Sequence, residues 1–307
     1  MSSQTPLKRY DGNPILRPED VPGGCHSVFN SAVVPFGGGY AGVFRVEGRD
    51  LFSRLHRGRS ADGIAWKMEA DPIRFECDEP DFAPLEHTYD PRMTRLEDRY
   101  YITYANHDAA HGSRIGLAVT EDFETFRQIG NLSAPNNRNA VLFPERIGGV
   151  YARLERPFAA GGEPAEIWYA ESPDLIHWGR FRFCMGPRPG WAEYKVGAGP
   201  PPIRTPEGWL LIYHGIRRTY RGDVYCAGVA LLDLEQPWKV VARPAQYVLA
   251  PSEPYERAGD VPNVVFPCAA VVEPNGEVKV YYGAADSCVA LATGQLADLV
   301  AFCLGQG

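Results

Sequence analysis

The chain has 307 residues, 45% hydrophobic and 22% charged, with a net charge of −7. That balance describes a globular protein with a sizeable core and excludes general attraction to nucleic acid or anionic membrane. No apolar run approaches membrane-spanning length, and the polar start Met1-Ser2-Ser3-Gln4-Thr5-Pro6 lacks the apolar core of a secretion signal, so a cytoplasmic location is expected.

In chain order, the same unit is legible five times. An inner strand is expected from Asn30-Ser31-Ala32. It is followed by the apolar strand Gly39 to Phe44, which runs into Arg45, and by the turn Ser60-Ala61-Asp62, with Trp66 four residues beyond the Asp. The second unit starts at Tyr89-Asp90-Pro91-Arg92, continues with Arg99 to Ala105 and ends in Thr120-Glu121-Asp122 with Phe126. The third starts at Arg138-Asn139-Ala140, runs through Gly149 to Glu155 into Arg156, and turns at Ser172-Pro173-Asp174 with Trp178. The fourth starts at Lys195-Val196-Gly197, has Gly208 to Tyr213 running into His214, and carries a looser turn at Asp233 with Trp238. The fifth starts at Asn263-Val264-Val265, has Glu277 to Ala285 running into Asp286, and shows no recognisable turn. The aspartates read as turn formers that bond their own backbone, and the aromatics as packing between units.

A recurrence of roughly 50 to 60 residues is the mark of a β-propeller. The expected fold is all-β: a five-bladed propeller, one domain over residues 1–307, with the active site at one mouth of the central channel. Gly 32 and Pro 27 suit its many turns, and stretches such as Gly294 to Leu304 allow only short helices. The 7 cysteines are dispersed and form no CxxC pair, which reads as reduced, mostly buried thiols. The histidines form no close pair beyond His107 and His111, so neither a metal nor any other cofactor is expected.

Equivalent positions of all blades face one axis. The polar residues expected to converge there are Asn30, Ser31, Arg45, Asp90, Arg138, Arg156, Lys195, His214 and Asp286. Four potential cations from the third and fourth units call for an anion, since Arg offers a planar fork for phosphate or carboxylate and Lys a point charge. Asp90, Asp286, Asn30 and Ser31 beside Tyr89 suit sugar hydroxyls. An anion pocket beside a sugar pocket points to glycosyl transfer to or from phosphate.

The residues resemble glycoside hydrolase family 130 over nearly the whole chain. The likeness runs through Asn13-Pro14-Ile15-Leu16, Asn30-Ser31-Ala32, Tyr89-Asp90-Pro91-Arg92, Leu142-Phe143-Pro144, Arg156-Pro157 and Lys195 to Pro201. It continues in Tyr213-His214-Gly215, Val261 to Pro267 and Tyr281 to Asp286. The resemblance implies an inverting β-mannoside phosphorylase with inorganic phosphate as co-substrate and α-mannose 1-phosphate as product. It implies Asp90 as the single catalytic acid, its proton passing through the mannose 3-hydroxyl. It makes Arg138, Arg156, Lys195 and His214 phosphate ligands, with Tyr225 beside them, and Asn30, Ser31, Arg45, Tyr89 and Asp286 mannose ligands. Glu155 departs from the pattern, since many members carry His there.

Three other readings stand beside this one: a β-mannoside hydrolase on the same fold, a furanosidase-type propeller, and a non-catalytic sugar-binding propeller. The four cations favour the phosphorylase. The linkage and the acceptor sugar are left open, among them β-1,4-mannooligosaccharides, mannosyl-glucose, mannosyl-N-acetylglucosamine and β-1,2-mannobiose. The loops Glu47 to Arg59 and Asn106 to Ser113 are expected to decide between them. Assembly into a homo-oligomer is also left open.

Overall fold

A computed structural model describes residues 5–78, 86–158 and 165–306. Five sheets follow one another along the chain, antiparallel apart from the short parallel pairing of Phe126–Asn131 with Phe75–Glu76, and in each the second strand lies directly outside an inner one. The inner strands are Ser27–Phe36, His87–Leu96, Asn137–Leu142, Lys195–Ala198 and Val265–Val272. Their second strands are Gly39–Glu47, Arg99–Asp108, Tyr151–Pro157, Gly208–Thr219 and Glu277–Ala284. This is the five-bladed propeller that the repeat predicts.

The recurring turns do what their composition implies. Asp62 Oδ1 accepts the backbone N–H groups of Ile64 and Ala65 at 2.8 and 2.9 Å. Asp122, Asp174 and Asp233 each accept the N–H groups two and three residues ahead in the same way. Each turn aims its aromatic into a seam between blades. Trp66 meets Tyr281 of the fifth blade, and Trp238 meets Tyr169 of the third. Trp178 packs on the cluster of Tyr101, Leu142 and Tyr151 between the second and third blades. A propeller blade exposes two apolar faces, so burial along these seams holds the ring together.

The fifth blade lacks the turn because its outer strand comes from the other end of the chain. Lys8–Arg9 pairs antiparallel with Cys288–Gln295, and the chain after Gln295 becomes the helix Leu296–Cys303. Side chains lock this closure. Arg9 Nε donates to Glu256 Oε1 at 2.8 Å and its Nη2 to Oε2 at 2.9 Å; Glu256 is fully buried and also accepts from the Tyr282 hydroxyl at 2.9 Å. Removing one partner of such a pair strands the other charge. Arg9→Ala is expected to lower unfolding stability by about 3 kcal/mol, read from the urea midpoint. An unchanged midpoint would show that the strand pairing alone closes the ring.

Candidate active site

The polar strand residues reach the axis by a different route from the one expected. Asn30, Asp90 and Arg138 do not begin their strands, which start one to three residues earlier. The pairing instead slips between Phe29 and Ser31, between Tyr89 and Arg92, and between Arg138 and Val141. At these bulges stand Asn30, Asp90 and Asn139, with φ of 47°, 53° and 55°. Non-glycine residues avoid this left-handed region, Asn and Asp least, and a bulge re-aims the side chain it carries. The same strain at equivalent places in three blades marks a site.

Two glycines make room for the result. A Cβ at Gly283 would lie 2.0 Å from Asn30 Oδ1, and one at Gly197 would lie 2.4 Å from His214 Cε1. The inner strands can close on the axis only because these positions carry no side chain.

The cavity so formed holds about 290 Å³ and is lined by Asn30, Arg45, Tyr89, Asp90, Arg138, Asn139, Arg156, Tyr225, Phe266 and Asp286. On one side Asp90 is the hub. Its Oδ1 accepts Asn30 Nδ2 at 2.7 Å and Arg45 Nη1 at 3.0 Å. Arg45 also pairs with Glu47, and its guanidinium covers the rings of Phe29 at 4.3 Å and Tyr89 at 4.9 Å. Beneath, the buried Arg92 donates to the carbonyls of Asp90 and Pro91 at 3.1 Å and to that of Gly199 at 2.7 Å. Burial would raise the Asp90 pKa, but the charges of Arg45 and Arg92 outweigh it and hold the carboxyl below its ordinary range.

Asp286 behaves oppositely. Burial, with the negative charges of Asp90 and Glu47 nearby, pushes its carboxyl up to about 7 in spite of Arg45. The folded state therefore prefers the protonated acid, and the stability this confers is lost as pH rises from about 4 through 7. The side chain keeps some contact with solvent, which limits the effect. Relative to Asp286→Asn, the unmodified protein is expected to lose about 2 kcal/mol between pH 4.5 and pH 8, measured by paired denaturant titrations. Parallel pH curves would show that Asp286 is ionised throughout.

The third-blade side is cationic and holds no paired carboxylate. Among the described residues, Arg138 and Arg156 make no ion pair with a carboxylate. Arg138 reaches the Tyr89 hydroxyl at 3.5 Å and lies over the Phe158 ring. Arg156 is buried and donates from Nη1 to His214 Nε2 at 2.9 Å. Burial first, then Arg138, lowers the Arg156 pKa to about 9. His214 is fully buried between Phe266 and Tyr225, and burial together with Arg156 keeps it neutral. Because its Nε2 accepts from Arg156, its proton sits on Nδ1. The Nε atoms of both arginines have no hydrogen-bond partner. Two enclosed cations without a counter-ion are arranged for an incoming anion.

Of the expected site residues, Asn30, Arg45, Tyr89, Asp90, Arg138, Arg156, Tyr225 and Asp286 share the cavity wall. Three stand off it. His214 backs Arg156, Ser31 is buried with an unpaired hydroxyl, and Lys195 stands at the start of its strand with Nζ over the Tyr194 ring. Asn139, Phe266 and Arg92 were not singled out from the sequence. Asn139 was detectable, since an Asn opens the apolar run Ala140-Val141-Leu142 as Asn30 opens the first inner strand's; Phe266 and Arg92 look like ordinary core and strand residues. Glu155 does not reach the pocket; it is buried and pairs with Arg153 and Asn137. Among the described residues no three His, Cys, Asp or Glu side chains gather as a metal-binding group. His107 and His111 separate, one bonding Ser113 and the other Asp108.

A five-bladed propeller whose axial pocket joins paired arginines to carboxylates and amides has the form of a carbohydrate-active enzyme that uses an oxyanion. Residues 7–304 match the family model Glyco_hydro_130, described as β-1,4-mannooligosaccharide phosphorylase. The chain is 44% identical to the β-1,4-mannooligosaccharide phosphorylase of Ruminococcus albus, over 95% of this chain and 89% of that protein. It is 33% identical to the 1,2-β-oligomannan phosphorylase of a Thermoanaerobacter species, over 95% of this chain and 98% of that one. It superposes on a β-1,2-mannobiose phosphorylase from Listeria innocua, solved with β-1,2-mannobiose, with a TM-score of 0.88 and 28% identity, covering 97% and 99% of the two chains. The protein belongs to glycoside hydrolase family 130 and is a β-mannoside phosphorylase.

Proposed function

We propose that the enzyme cleaves β-1,4-linked mannooligosaccharides with inorganic phosphate, releasing α-mannose 1-phosphate with inversion. The observation that carries this reading is the pair Arg138 and Arg156, which line the same cavity as Asp90 and have no carboxylate partner among the described residues. The β-1,4 linkage is favoured by the 44% identity to the Ruminococcus albus enzyme.

In this reading the arginines hold phosphate in line with the anomeric carbon, with His214 fixing Arg156 and Tyr225 beside them. A phosphate oxygen forms the bond to that carbon while the glycosidic C–O bond breaks on the opposite face. Asp90 supplies the proton taken up by the leaving oxygen, and phosphate, itself the nucleophile, removes the need for a second catalytic carboxylate. Asn30, Arg45, Tyr89 and Asp286 hold the mannose hydroxyls. Asp90 is ionised in the empty pocket. The negative charge of phosphate and the displacement of water by the sugar both raise its proton affinity, and hydrogenphosphate brings the proton. Ser31 follows Asn30 in its strand and Lys195 opens the inner strand of the fourth blade, and they complete the sugar and phosphate shells. The charged product is useful only where it is retained, which favours a cytoplasmic enzyme.

The reading is tested by incubating the protein with β-1,4-mannobiose with and without phosphate. Mannose 1-phosphate is expected only with phosphate. Equal mannose release in both would instead identify a hydrolase.

A further inference from the structure

Next to the two cavity arginines in the chain stands a buried carboxylate that the reaction does not use. Glu155 precedes Arg156 in the second strand of the third blade, and Asn137 precedes Arg138 in the inner one. Glu155 Oε1 accepts from Asn137 Nδ2 at 3.0 Å, so one side-chain bond joins the neighbours of both cations. The other oxygen, Oε2, accepts from Arg153 Nε at 2.6 Å. Arg153 is held in turn. Its Nη2 donates to the Leu132 carbonyl at 2.9 Å, and its guanidinium lies 4.2 Å from the centre of the Trp178 ring. Asn137, Arg153 and Glu155 are all buried.

The strands give the two arginines little support of their own. Arg138 pairs with Arg156, and the pairing of their strands then slips until Val141. On its outer side the second strand pairs with the third, Ile167–Ser172, only as far as Glu155. Regular pairing therefore reaches the arginines from the side of Asn137 and Pro157 alone, and the bond between Asn137 and Glu155 braces that side.

Stability does not explain this group. Replacing a buried ion pair by apolar residues of similar volume is often neutral or stabilising. Here two buried atoms, Asn137 Oδ1 and Arg153 Nη1, also lack a hydrogen-bond partner among the described residues, and each such atom is a cost. Polar groups kept under those conditions serve a geometry, and binding groups are sensitive to it: a displacement of about 1 Å can cost a hundredfold in rate.

We propose that Glu155 is a positioning residue for phosphate: its bond to Asn137 sets the spacing at which the Arg138 and Arg156 guanidinium groups meet one anion, and Arg153 fixes the carboxylate. This rests on the phosphorolysis reading above.

The test measures the phosphate KM, the β-1,4-mannobiose KM and the phosphate-induced rise in melting temperature. Asn137→Ala removes the bond to Glu155 and leaves the pair with Arg153 intact. It is expected to raise the phosphate KM by about tenfold, to shrink the phosphate-induced rise, and to leave the mannobiose KM unchanged. Asn137→Ser, whose hydroxyl falls short of the carboxylate, should do the same. Arg153→Met combined with Glu155→Gln removes both charges but keeps an acceptor for Asn137, and should keep the phosphate KM of the unmodified protein. A normal phosphate KM in the folded Asn137 variants, or an equal rise of both KM values, would overturn the positioning role. So would a loss of phosphate affinity in the double variant as large as that of Asn137→Ala. Absence of phosphate-dependent turnover in the unmodified protein would overturn the phosphorolysis reading itself, and the positioning role with it.

Discussion

Asp90→Asn is expected to leave the propeller folded and to lower turnover on β-1,4-mannobiose by about a hundredfold to ten-thousandfold, the usual worth of general acid catalysis. An amide keeps the size of the side chain, and its oxygen still accepts from Asn30 and Arg45, which bond the carboxylate at 2.7 and 3.0 Å. Arg45 also keeps its pairing with Glu47, so no buried cation is left alone. What the amide lacks is a transferable proton. The loss should therefore shrink on an aryl mannoside whose leaving group departs without protonation. A variant that melts with the unmodified protein yet loses activity equally on both substrates would show that Asp90 positions the sugar and does not act as the acid.

Arg156→Met is expected to raise the phosphate KM by tenfold or more, because a charge-assisted contact is worth roughly 1.5 to 3 kcal/mol. It should do so without loss of thermal stability. Arg156 is buried beside Arg138, and both burial and that neighbour bring its pKa down to about 9, so the empty pocket stores unfavourable charge. An apolar side chain of similar length relieves it. Phosphate itself should stabilise the unmodified protein, by about 2.7 kcal/mol at a hundred times its dissociation constant, and stabilise the variant far less. Lys195→Ala, off the cavity wall, should shift the phosphate KM by a smaller factor. If Arg156→Met keeps both the phosphate KM and the phosphate-induced shift, the guanidinium serves the fold and another group binds the anion.

The amino-acid sequence by itself determined the architecture and most of the residues that line the axial cavity. Repetition carried that information: the Ser/Thr-x-Asp turns and their aromatics need only local hydrogen bonds and a neighbouring blade, so they look alike wherever they occur. Arg45, Arg156 and Asp286 were legible because a costly polar residue recurs at the end of successive apolar strands, and Asp90 because polar residues recur near the start of the inner ones. The tertiary structure decided what depends on distant segments. Ring closure joins Lys8–Arg9 to Cys288–Gln295 across the whole length of the chain, with no local signal beyond the missing fifth turn. It also separated residues that share one pattern: Arg156 faces the cavity, while His214 stands behind it, because Gly197 lets the imidazole pack flush against the guanidinium. The low pKa of Asp90 and the raised pKa of Asp286 arise only when the blades crowd their charges around one axis. Burial and mutual field are properties of that assembly, and no single blade possesses them.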